Sequence, residues 1–107
     1  MEKAARRARE VGGEARVSLK SGIELDVRKT LAGVLGAQLD DVGPDRDLEA
    51  DLGLDSLKMI ETNVALETVF GFVSPDVARP EELSIRTVDD LVGYVADQML
   101  AQGKGLA

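Results

Sequence analysis

Ser56 is the residue of this chain whose setting best suits covalent chemistry. It lies in Asp51-Leu52-Gly53-Leu54-Asp55-Ser56-Leu57, at the end of an acidic loop punctuated by Gly and Pro and at the start of an apolar-periodic stretch. A serine at a loop-to-helix junction is exposed, carried on a rigid element and surrounded by backbone N–H groups that favour an anionic phosphate. The position also has a plainer role. Asp and Ser are the residues that satisfy orphan donors at a helix start, so Asp55 or Ser56 reads equally as an N-cap. Cap and attachment point can be one residue.

The groups that would let such a serine act alone are missing. The chain has no His and no Cys, which removes Ser-His and Cys-His nucleophile pairs, thiolate metal sites and a disulfide framework. A self-sufficient hydrolase is therefore not expected, and the chain is read as no enzyme. The acids of the loop, Asp40, Asp41, Asp45, Asp47, Glu49, Asp51 and Asp55, invite a calcium-loop reading. In the register starting at Asp45 the first three ligand positions are acidic, but Ala50 stands where the turn needs Gly and Ser56 where a bidentate Glu is needed. That register fails, and no metal site is assigned.

Charge divides the chain near residue 20. Residues 1–20 hold six Lys or Arg against three Glu, a net +3, while the remainder holds seven basic and seventeen acidic residues, a net −10. So acidic a body repels nucleic acid and anionic membrane and attracts partners with basic patches. No apolar run approaches membrane-spanning length and no secretory h-region follows the N-terminus. The expectation is a cytoplasmic monomer.

Four helices can be placed around Ser56. Ser21-Gly22-Ile23-Glu24 has capping-box spacing and Ile23, Val27, Leu31, Val34 and Leu35 recur at helical intervals, which predicts a first helix from Ser21 to about Gln38. Residues 1–20 then read as a basic, disordered leader. The connection from Asp40 to Asp55 is longer than neighbouring helices need, and Leu48, Leu52 and Leu54 are expected to pin it to the bundle. A second helix follows from Ser56 to about Phe70. Pro80-Glu81-Glu82-Leu83 predicts a short third helix, and Thr87-Val88-Asp89-Asp90 caps a last one through Leu91, Val92, Val95 and Met99, ended by Gly103. The fold class is all-α, a small bundle of three main helices plus one short helix. Residues 21–101 make the folded domain and 102–107 a flexible tail; with 44% hydrophobic residues, one Tyr, two Phe and no Trp, its core is aliphatic.

The helix after Ser56 carries two opposed apolar stripes. At 100° per residue Met59, Leu66, Val69 and Phe70 fall on one side, and Leu57, Ile60 and Val64 fall on nearly the opposite side beside Glu61, Glu67 and Thr68. Either the segment 72–86 covers the second stripe, or that stripe is a partner surface of small apolar contacts ringed by carboxylates.

The string from Asp51 to Leu57, with Ile60-Glu61, Leu66-Glu67 and Phe70-Gly71, resembles the acyl carrier protein family over roughly residues 21–100, without a gap from Leu52 to Gly71. The resemblance implies that Ser56 carries 4'-phosphopantetheine and that Leu57, Ile60, Glu61 and Val64, with Asp55, form the face read by partners. It also implies those partners: a phosphopantetheinyl transferase, an acyl-loading enzyme, a ketosynthase or other acyl-processing enzymes with basic docking patches. Within it, polyketide, fatty-acid-like or other secondary-metabolite biosynthesis is expected; an aminoacyl or peptidyl carrier is the neighbouring alternative, and an acidic helical interaction module with Ser56 only a helix cap is the alternative outside it. Three departures mark the chain. Lys58 stands where fatty-acid members have an acid, Thr62 and Asn63 where they are aliphatic, and Val73 to Arg86 is longer than usual. Polar groups on that inner side disfavour a long alkyl cargo and favour a short or polar one, held largely exposed on its arm.

Overall fold

The computed structural model describes residues 2–73 and 85–103, with side chains from residue 14 onward. The described elements are α1 (Glu2–Leu35), a 3-10 turn (Leu39–Val42), α2 (Ser56–Phe70) and α3 (Val88–Ala101). The chain is a small all-α bundle; its short helix expected at 80–83 lies outside the described residues.

The apolar repeat of α1 continues further upstream than its capping-box spacing suggests. Leu19, Ile23, Val27 and Leu31 are all buried and lie four residues apart, so the core stripe starts before Ser21. Ser21 is exposed inside a continuous helix and caps nothing. The boundary expected at residue 21 is therefore corrected, and the stretch expected as a disordered leader is helical from Glu2. Arg16 and Lys20 tie the last turn of this stretch to α3. The Arg16 guanidinium meets the Asp97 carboxylate at 2.7 Å, and Lys20 Nζ meets that of Asp89 at 3.2 Å. Because residue numbers rise along α1 as they fall along α3, these pairs also show the two helices to be antiparallel. At its other end α1 stops at Leu35, earlier than the expected Gln38, where Gly36 takes φ +65°.

The loop from Gly36 to Asp55 is fastened to the start of α3. Leu48 N–H donates to Arg86 O (2.8 Å), Val88 N–H to Arg46 O (3.0 Å) and Leu54 N–H to Leu48 O (2.8 Å). Leu48 and Leu54 are buried and Leu52 packs against the core, as the sequence predicts. The start of α2 thus lies beside the start of α3. At the far end the Gln102 side chain bonds both N–H and C=O of Val73 (3.0 and 2.7 Å), so the ends of α2 and α3 also lie together. Gln102, placed with the flexible tail by the sequence reading, is instead a tie between helices. The two run parallel, α1 runs against both, and among the described residues the interior is aliphatic apart from Phe72 and the polar Thr62 and Asn63 of α2.

Candidate attachment site at the start of the second helix

The loop acids build the turn that presents Ser56. Asp47 Oδ1 accepts from the N–H groups of Glu49 (3.0 Å) and Ala50 (2.7 Å), and Asp51 Oδ2 accepts from Asp47 N–H (2.8 Å). Side chains used this way close Asx-type turns. Gly53 follows at φ +68°, where a Cβ would be strained, and the buried Leu54 anchors the chain just before the helix. Among the described residues no group of acids is arranged to hold a metal ion.

At the helix start the capping role that the sequence left open between Asp55 and Ser56 falls to Asp55. Asp55 is extended and its carboxylate accepts from Lys58 N–H at 2.8 Å, which makes it the N-cap. Ser56 is the first helical residue and is exposed. Among the described residues its hydroxyl has no hydrogen-bond partner, since the capping work is done one residue earlier. Aspartate at the cap also concentrates negative charge where the helix dipole is positive, which steadies the first turn.

Beyond Ser56, α2 keeps one of its stripes outside. Leu57, Ile60 and Val64 are 64%, 44% and 55% exposed. Glu61 is exposed beside them and is paired with Lys58 at 3.2 Å, so the residue that departs from the fatty-acid pattern partly neutralises that acid. The inner stripe is Met59, Thr62, Asn63 and Leu66, all buried. Val69, grouped with them by projection, is corrected to exposed, and Phe70 is half-buried. Val69 lies at the edge of the arc spanned by the buried residues, next beyond Thr62 around the helix, and Phe72 just past the helix is buried again. The sequence reading missed one feature of the neighbouring helices. Gly93 in mid-α3 is where the Arg16 guanidinium lies, and a Cβ there would come within 2.6 Å of Arg16 Nη2. A glycine inside an otherwise regular helix is the signal that could have found it.

An exposed serine hydroxyl at the N-terminus of a helix, without a hydrogen-bond partner among the described residues, is accessible to a second protein. Known proteins agree. A family profile described as the phosphopantetheine attachment site matches residues 26–95. The acyl carrier protein of Acidothermus cellulolyticus is 41% identical over 64 residues, which are 60% of this chain and 73% of that one. Among solved structures, the apo doublet acyl carrier protein from prodigiosin biosynthesis superposes with a TM-score of 0.58 at 26% identity, covering 79% of this chain. This chain spans 38% of that doublet's length.

The chain belongs to the acyl carrier protein family, whose prosthetic group is 4'-phosphopantetheine. The site fits such a group. A phosphodiester needs a free hydroxyl, access for a second protein and nearby N–H groups, and the start of α2 offers all three.

Proposed function

We propose that Ser56 is the residue that carries the 4'-phosphopantetheine arm and that the chain serves as a discrete acyl carrier in a specialised pathway of the polyketide or fatty-acid-like kind. The observation that carries this reading is the division of labour at the helix start: Asp55 caps, and Ser56 Oγ is left exposed and unbonded. The same observation counts against an interaction module in which Ser56 is only a cap. Asp55 before Ser56, in a Leu-Gly-x-Asp-Ser setting, favours an acyl over an aminoacyl or peptidyl carrier. A relative from prodigiosin biosynthesis is in keeping with a specialised pathway.

The arm supplies a terminal thiol that this Cys-free chain lacks, on which an acyl group is held as a thioester. The chain itself does no chemistry. Asp55 holds the first turn rigid so that Ser56 is presented in one geometry to a phosphopantetheinyl transferase. Leu57, Ile60 and Val64 offer small apolar contacts, and Glu61 and Asp55 steer basic docking patches toward them. Tethering then keeps the acyl group at high effective concentration for each enzyme that docks.

The test is intact mass after incubation with coenzyme A and a broad-specificity transferase. Wild type should gain a single phosphopantetheine increment and Ser56→Ala none. An unmodified wild type beside a fully converted control carrier would end the assignment.

A further inference from the structure

Among the described residues, the inner face of α2 holds two polar atoms that no partner satisfies. Thr62 is 0% and Asn63 4% exposed, and Thr62 Oγ1 and Asn63 Oδ1 are both buried without a hydrogen-bond partner. Asn63 is half-used: its Nδ2 donates to Glu67 Oε1 at 3.1 Å, which fixes the amide and leaves the carbonyl oxygen facing inward alone. Orphaned acceptors of this kind are rare in native interiors, because each forfeits its hydration and receives nothing in return. Two adjacent ones on a single helix ask for a common cause.

Their position suggests what the cause is. Thr62 and Asn63 lie six and seven residues beyond Ser56, about 9 to 10 Å along the helix axis at about 1.5 Å per residue. Among the described elements α1 packs closely along both α2 and α3, whereas α2 and α3 approach each other far more sparsely. Met59 and Leu66 flank the two polar residues on the inner face of α2 and are buried. That face is therefore apolar at both ends and polar in the middle.

We infer that Thr62 and Asn63 select a hydroxyl-bearing acyl group, which enters beside α2 and satisfies both orphaned atoms. The inference rests on the assignment of Ser56 as the attachment point and adds the substrate class. Asn63 Oδ1 accepts only, so it requires a donor. Thr62 Oγ both donates and accepts. A hydroxyl substituent on the cargo donates to Asn63 and still has lone pairs for Thr62; a keto group can serve Thr62 alone and a plain alkyl chain serves neither. The order of enclosure is accordingly hydroxyacyl, then ketoacyl, then alkyl. Where the sequence reading expects a polar cargo to stay exposed on its arm, the unpaired acceptors distinguish polar cargoes by whether they donate.

The experiment loads the full chain from coenzyme A, hexanoyl-coenzyme A and 3-hydroxyhexanoyl-coenzyme A, with the increment at Ser56 verified by mass, and compares amide shifts and hydrogen exchange. With the 3-hydroxyhexanoyl form, exchange at Thr62, Asn63 and Leu66 should slow at least tenfold relative to the other two, and the Asn63 side-chain amide resonances should move. Thr62→Val with Asn63→Leu should erase the difference between hydroxylated and plain chains, and should raise Tm of the unloaded protein because two orphaned polar groups are gone. Thr62→Val alone, nearly isosteric, should reduce the difference and serves if the double variant does not fold. Equal protection in all three loaded forms, the result expected if a water or the arm itself occupies the acceptors, would overturn the inference while leaving Ser56 in place. A chain that gains no mass would overturn both.

Discussion

α2 and α3 are nearly equal in length, run parallel and are both capped by a side chain, yet they treat their apolar residues in opposite ways. α3 buries Val88, Leu91, Val92, Val95, Ala96 and Met99 in the core and leaves no large aliphatic residue markedly exposed. α2 buries two apolar side chains and two polar ones, and exposes Leu57, Ile60, Val64 and Val69. α3 is further tied to α1 by two ion pairs, whereas the α2 pair Lys58–Glu61 lies within the helix itself. Apolar burial is thus concentrated in the α1–α3 pair, whereas α2 leaves an apolar stripe in solvent, the surface proposed to meet enzymes.

The largest test of that contrast is truncation on each helix. Leu91→Ala removes a fully buried side chain and should cost about 2 to 5 kcal/mol in chemical denaturation. Ile60→Ala, on the exposed stripe, should stay within about 0.5 kcal/mol. A comparable loss at Ile60 would mean that the outer stripe is structural.

Function should show the reverse preference. Glu61→Lys places a cation on the face proposed to meet basic partners and should slow transferase loading by about tenfold at low salt, less as salt screens the charge. Asp97→Lys breaks the Arg16 pair at the end of α3 remote from Ser56 and should leave loading nearly unchanged. Equal effects would remove α2 from the docking surface.

Much of this contrast is legible in the residues. The opposed stripes of α2 follow from 100° spacing, and the box at the start of α3 is realised in full, with Thr87 Oγ1 accepting from Asp90 N–H at 3.1 Å and Asp90 accepting from Thr87 N–H at 3.1 Å. The same kind of pattern misleads at Ser21. A Ser-x-x-Glu spacing is a local signal, and a helix that already has buried residues upstream does not need it. Leu19 extends the four-residue repeat of Ile23 and Val27 in plain view, but the contacts that give it meaning do not. Arg16 and Lys20 find their acids 81 and 69 positions away, a pairing that no local window contains. Val69 differs for another reason: it lies at the edge of the arc spanned by Met59, Thr62, Asn63 and Leu66, where 100° spacing does not decide between core and solvent.

Acid exposes a smaller difference, at the cap of α3. Burial alone would raise the pKa of Asp90, but this is outweighed by hydrogen bonds from Arg86 N–H and Thr87 N–H and from the Thr87 hydroxyl, with attraction to Lys20 added, so the carboxyl lies below its ordinary value. The folded state thus binds its proton less readily than the unfolded one. Its contribution is fully present above the ordinary carboxyl value and is lost as pH falls through the depressed folded value. Asp90→Asn should cost about 1 kcal/mol at neutral pH and flatten the acid limb of a stability profile. An unchanged acid limb would assign that slope to other carboxylates.

The finest test concerns the seam between α1 and α3, where two small terms oppose each other. Glycine inside a helix is less favourable than alanine by about 0.5 to 1 kcal/mol, so Gly93→Ala should strengthen α3 on its own account. The new Cβ would press on Arg16 Nη2 at 2.6 Å, but that atom ends a flexible side chain and can move aside. What moves with it is an ion pair whose partners are 43% and 52% exposed, and such pairs contribute roughly 0 to 1 kcal/mol. Gly93→Ala alone should therefore change stability by less than about 1 kcal/mol. In an Arg16→Ala background the obstruction is gone, and the same substitution should stabilise by the full helix preference of about 0.5 to 1 kcal/mol. A double-mutant cycle by denaturation reads the difference; if Gly93→Ala has one value in both backgrounds, Arg16 does not rest on Gly93.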